Sequence, residues 1–139
     1  MGDIMHSSSA CPCGSGNSLL LCCQPFLLSR KKPATAEALM RSRYAAYVTG
    51  NVAYIYETTH PDRRDSRLRQ QIEAWVGQSR WLGLEVLRVH GGGSADKQGK
   101  VVFIASYEVA GQPGSLHELS RFRRFKKDWY YLDGELEGG

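Results

Sequence analysis

The stretch Trp81-Leu-Gly-Leu-Glu-Val-Leu-Arg-Val-His90 marks the point where the chain changes period. Leu82, Leu84 and Val86 stand two apart, the spacing that lines one face of a strand. Forward from it, Gly91–Gly99 reads as a flexible connection. Val101-Val-Phe-Ile-Ala-Ser-Tyr-Glu-Val109 is a β-branched run suited to a buried central strand. Gly111-Gln-Pro-Gly114 predicts a turn, Leu116–Phe125 a third strand, and Lys126-Lys-Asp128 a second turn into Trp129-Tyr-Tyr-Leu132.

Backward from the same stretch the pattern is helical. Asp65 or Ser66 starts a helix with Leu68, Ile72, Trp75 and Val76 on one stripe. Asn51 caps Val52–Thr59, which ends before His60-Pro61. Thr35 caps an earlier helix, with Glu37 in its first turn and Gly50 as its stop. The fold class expected is therefore α+β: three N-terminal helices packed on a curved, four-stranded, mainly antiparallel sheet. A twisted sheet wrapped over helices leaves a cone-shaped hollow between the layers.

A length of 139 residues, 42% of them hydrophobic, suffices for one cored domain and a small appendage. The expected boundaries are 33–136 for the α+β domain and 1–28 for the appendage, joined by the basic stretch Ser29–Pro33. No apolar run reaches the roughly 18 residues of a membrane span. Met1–Ala10 lacks the basic start and apolar core of a secretory leader, so a cytoplasmic location, with reduced thiols, is expected.

All four cysteines fall in Cys11-Pro-Cys-Gly-Ser-Gly-Asn-Ser-Leu-Leu-Leu-Cys-Cys23, a C-x-C-x₈-C-C spacing. Disulfides would tie a tiny knot and leave the remainder unstapled. Four thiolates instead complete a closed tetrahedral shell, so a structural Zn²⁺ on Cys11, Cys13, Cys22 and Cys23 is the reading preferred. Redox thiols, which favour C-x-x-C, and metal-free burial are the alternatives. Gly14 and Gly16 permit the turn, and Asn17 or Ser18 caps a short helix through Leu19–Leu21.

This segment resembles the SEC-C motif, whose four ligands match the same cysteines one by one. Lysines often follow its first half in that family. The apolar Asn17–Leu21 here implies packing of the knuckle onto its own domain. Further along, LMRSRYAAYV at 39–48, HP at 60–61, WLGLEV at 81–86, SRFRR at 120–124 and WYYLDG at 129–134 resemble the YchJ-like bacterial proteins. Their central domain is similar to the nuclear transport factor two cone. That resemblance implies a cone pocket and pairing of two copies through the sheet.

Candidate pocket residues are Arg43, Tyr44, His60, Trp81, His117, Glu118 and Arg121. No catalytic residue is assigned, since spacing shows no nucleophile–base pair and a cone hosts enzymes and binders alike. His60, beside a helix end, suits a capping role. His117 and Glu118 are neighbours on a strand, so only one faces the cone. A buried Glu118 is expected to pair with Arg41 or Arg43. Trp75, Trp81 and Trp129 are assigned to the core. The net charge of +4 and the run Arg121–Lys127 leave RNA or ribosome association as a partner class, not the favoured one. The function expected is a zinc-bearing protein-interaction or small-ligand-binding module. The rivals are an enzyme with a cone-pocket acid–base group and an RNA-associated module.

Overall fold

Thr35 and Gly50 delimit the helix on which the rest is assembled. In the computed structural model, which describes residues 9–137, α2 spans Ala36–Thr49. Thr35 Oγ1 accepts from Ala38 N, satisfying one orphan donor of the first turn, and Gly50 closes the helix at φ 78°. Asn51 Oδ1 then accepts from Tyr54 N and starts α3, Val52–Glu57. The third expected helix begins later than its polar start signals. Asp65 Oδ1 accepts from Arg67 N in a local turn, and α4 runs Leu68–Gln78. A fourth, short helix, α1, occupies Gln24–Leu27 with Pro25 in its first turn.

Strands β1 (Ser79–Gly91), β2 (Gln98–Val109), β3 (Gln112–Phe125) and β4 (Asp128–Leu136) form one open antiparallel sheet in chain order. All are longer than the apolar runs that announced them, because ladder bonds continue past the apolar residues. The turn expected at Gly111–Gly114 closes earlier, with Ala110 at φ 52° and Gly111 at φ 79°, a two-residue hairpin.

Register shifts bend the sheet at three places: between Trp81 and Gly83, between Val86 and Arg88, and between Arg121 and Phe122 opposite Leu132. The first shift changes the expected alternation. Leu82 is 51% exposed, while Trp81, Leu84 and Val86 pack against the core. Phe103, Ala105, Phe122 and Trp129 complete the concave face, against Leu39, Met40 and Tyr44 of α2.

α2 is buried nearly all round, which requires its polar residues to be satisfied within the protein. Ser42 Oγ donates to Leu39 O and bonds Tyr54 Oη at 2.6 Å. At the base of the β1–β2 hairpin, Gly92 and Gly99 lie against Ala36, and Ala36 N donates to Gly92 O. A Cβ at either glycine would strike this contact, so the docking of α2 onto the hairpin depends on both.

Candidate metal centre and cone cavity

The N-terminal loop is shaped by backbone pairing as much as by its glycines. Cys11 N donates to Asn17 O, Leu19 N donates to Ser9 O, and Ala10 bridges Ser18. Gly14 (φ 81°) and Gly16 (φ 91°) take the left-handed turns between. The capping expected of Ser18 is not made: it precedes the 3₁₀ turn Leu19–Leu21 without a side-chain bond, and Ser9 O supplies the partner for Leu19 N instead. Of the knuckle portion expected over 1–28, and of the leader test at Met1–Ala10, residues 1–8 lie outside the described residues.

The four sulfurs converge. All lie within 4.8 Å of one another, with Cys13–Cys22 at 3.6 Å and Cys22–Cys23 at 3.9 Å. Bonds of about 2.3 Å in a tetrahedron would space ligand sulfurs by roughly 3.8 Å, so the cluster could hold a metal ion. Hydrogen bonds from Cys11 and Cys23 hold the Cys13 thiol far below its ordinary value. The same bonds push Cys11 up to about 11 and Cys23 further. Four thiols this close cannot all ionise without a cation among them, and a bound dication removes that obstacle.

The knuckle is seated on the domain. Cys11, Cys13, Leu19 and Cys23 cluster with Ala45 of α2 and Leu84 of β1. Arg41 Nη1 donates to Cys13 O at 2.7 Å, and Arg41 Nε pairs with Glu37. Packing of this segment onto its own domain is therefore carried by Leu19; Leu20 and Leu21 project outward, 51% and 80% exposed.

Between α2, α4 and the concave face lies a cavity of about 170 Å³. Arg43, Tyr44, Trp81 and Glu118 line it, together with Trp75 and Tyr131, which spacing did not single out as pocket residues. Trp75, Trp81 and Tyr107 meet edge-on or tilted at 5.4–5.8 Å, and Tyr44 and Tyr47 pack on Trp81 as well. Two of the three tryptophans assigned to the core thus wall a hollow. Trp129 fills the core, 2% exposed, and donates from Nε1 to Ala34 O. The signal that could have found Tyr131 is its even spacing from Trp129 on the inward face of β4.

Glu118 does not form the expected ion pair with Arg41 or Arg43. Its Oε2 accepts from Ser120 Oγ at 2.8 Å and from Tyr131 Oη at 3.3 Å. Gly134 makes room for it, since a Cβ there would collide with Oε2. Arg43 Nη1 donates to Ile55 O, Thr58 Oγ1 and Thr59 Oγ1, and the guanidinium lies 4.4 Å from the Tyr131 ring centroid. Burial, with the Glu118 charge next in effect, pushes the Tyr131 phenol well up. Burial likewise raises Tyr44 to about 12.

The other three pocket candidates lie elsewhere. His60 is buried at 4% exposure, but it packs edge-on against Phe125 and Tyr130, away from the cavity. Its Nδ1 accepts from Asp62 N, so it caps the short turn that follows rather than the helix before it. His117 and Arg121, at odd positions of β3, face the outer side of the sheet because Glu118, Ser120 and Phe122 face inward. Arg121 is held by Asp133 and Glu135.

Two of the five basic residues of the run are occupied internally. Arg124 donates to Asp96 O, Ser94 O and Lys127 O and stacks on Trp129, clamping two loops. With Arg121 paired and Arg124 engaged, the basic run that left RNA association open keeps Arg123, Lys126 and Lys127 exposed.

A cysteine-knuckle motif seated on an α+β cone with a lined cavity is the class these features define. Residues 35–134 match the family described as the YchJ middle domain, NTF2-like. The chain belongs to the YchJ-like family. A UPF0225 protein of Geobacter sulfurreducens is 44% identical over 127 residues, covering 91% of this chain and 79% of its own length. One from Chromobacterium violaceum is 44% identical over 130 residues, covering 93% and 94%. Among solved structures, a SEC-C motif containing protein from Rhodopseudomonas palustris superposes with TM-score 0.82 at 43% identity, covering 92% of this chain and 98% of its own. Another, from Psychrobacter arcticus, gives 0.77 at 30% identity over 98% and 87%. No helix among the described residues is long and apolar enough to cross a membrane.

Proposed function

We propose that the chain is a zinc-stapled binding module whose cone takes up a small molecule. The observation that carries this reading is the cavity itself: an aromatic-walled hollow with a buried arginine and a carboxylate on its surface. Zinc suits four cysteine ligands, and four protein ligands leave no open position for water or substrate, so its role is structural. The knuckle fixes Arg41 and Ala45 of α2, and α2 supplies Arg43 and Tyr44 to the cavity.

A second reading is supported by one observation. Among the described residues Glu118 Oε1 has no donor, which leaves an oxygen free for proton transfer with a substrate in the cone. Native mass spectrometry of protein isolated anaerobically from cell extract separates the outcomes. The expected spectrum shows one zinc per chain and a co-isolated small molecule, and it also reports the subunit number and hence any pairing through the sheet. Protein without zinc overturns the staple. A ligand that is chemically altered on incubation moves the assignment to the enzyme.

A further inference from the structure

The cavity holds one positive and one negative group that do not meet. Arg43 is only 8% exposed, and its Nη1 is fully engaged by three oxygens. Among the described residues its Nε and Nη2 have no acceptor, and no carboxylate pairs with it. Glu118 faces the same space with Oε1 undonated. A cation withdrawn from water without a counter-ion is costly in a packed interior. One anionic group on a guest supplies that counter-ion.

An anion alone would place like charge near Glu118, and a cation alone would meet Arg43. A guest carrying both charges matches both. The planar guanidinium fork suits a carboxylate. A carboxylate together with the electron-rich faces of Trp81, Tyr44 and Tyr47 suits an ammonium group. Met40 and Phe103 offer the remainder of the wall to an apolar side chain. At about 170 Å³ the hollow lies below the roughly 300–1,000 Å³ of drug-sized sites, which limits the guest to about ten heavy atoms.

We infer that the cone binds a free α-amino acid with an apolar side chain, its carboxylate on Arg43 and its ammonium on Glu118. The inference rests on the cavity being a ligand site, as proposed above.

The test titrates the full, zinc-loaded chain with leucine, methionine, valine and phenylalanine, and with the deaminated acid and decarboxylated amine of each. The Trp81 indole N–H resonance, assigned with Trp81→Phe, reports occupancy. The expected result is saturable binding of at least one amino acid, at least tenfold tighter than both of its single-charge analogues. Glu118→Gln abolishes the preference over the deaminated acid, and Arg43→Lys weakens the preference over the amine. Should a substituted chain lose its dispersed spectrum, Gly134→Ala displaces Glu118 without altering charge and is expected to weaken the amino acid at least tenfold. Equal binding of a single-charge analogue, or binding by none of the amino acids while the co-isolated molecule still shifts the resonance, overturns the inference and leaves the cavity reading standing. No shift with any of them, co-isolated molecule included, overturns both.

Discussion

Between Ser9 and Cys23 the described backbone makes a handful of loop bonds, one isolated bridge and a single 3₁₀ turn, around four converging sulfurs. Between Ser79 and Leu136 four long strands share continuous ladders, and their inner face is covered by α2. The first region has almost no apolar core of its own beyond Leu19 and the cysteines; the second is organised around Leu39, Val101, Phe103 and Trp129. A segment that short buries little surface against its chain entropy, and in the function proposed above metal ligation does there what packing does in the cone.

The sharpest way to break this contrast is to strip the metal by chelation, or to make Cys13→Ser. Zinc ligation contributes on the order of 10 kcal/mol to a small knuckle. Amide exchange at Cys11 and Leu19 should accelerate by orders of magnitude, while the β2 and β3 amides keep their protection. A knuckle that stays protected without metal would show that packing on Ala45 and Leu84 suffices.

Alkaline pH attacks the cone. Tyr44 and Tyr54 are raised to about 12 by burial, against an ordinary 10. In the window between those values the folded state binds more protons than the unfolded. Stability is therefore complete below about pH 10 and falls as pH rises toward 12, by up to roughly 2 kcal/mol for each residue. Urea melts of the metal-loaded chain at pH 9 and pH 11 measure it; a flat profile would mean that both phenols ionise unhindered. Leu39→Ala, at a fully buried site, should cost about 3 kcal/mol in the same melts at neutral pH.

Gly134→Ala is expected to cost about 2 kcal/mol by driving Glu118 from its place, with most of the loss recovered in the double substitution Gly134→Ala, Glu118→Ala. Additive losses would mean that the two do not meet. The smallest effect is expected where the two regions join. Arg41→Ala removes the bond to Cys13 O, costs about 1 kcal/mol, and should hasten metal loss to a chelator while barely moving the melting of the sheet.

The element order was legible because helix caps and strand periods are local. Thr35, Gly50 and Asn51 act within three or four residues, and the change of period at Trp81 needs no distant partner. Strand ends were less so: Gln112–Ser115 and Asp133–Leu136 carry little apolar signal and join the sheet only through bonds to their neighbours. The bulge that turns Leu82 outward is equally a property of the pair of strands.

For the sites the division follows the same line. Four cysteines within thirteen residues announce a cluster of sulfurs by themselves, because the short loop cannot carry them far apart. The cavity is different. Arg43, Trp81, Glu118 and Tyr131 come from one helix and three strands, and nothing in their spacing shows that Arg43 and Glu118 face one hollow without pairing. His60 and Arg121 looked equally eligible in the chain and were sent elsewhere by the turn after α3 and the parity of β3. Sequence determined the elements and the thiol cluster, whose interactions are short-range. Which charges share a cavity was decided only by long-range packing, where one residue of register moves a side chain to the opposite face.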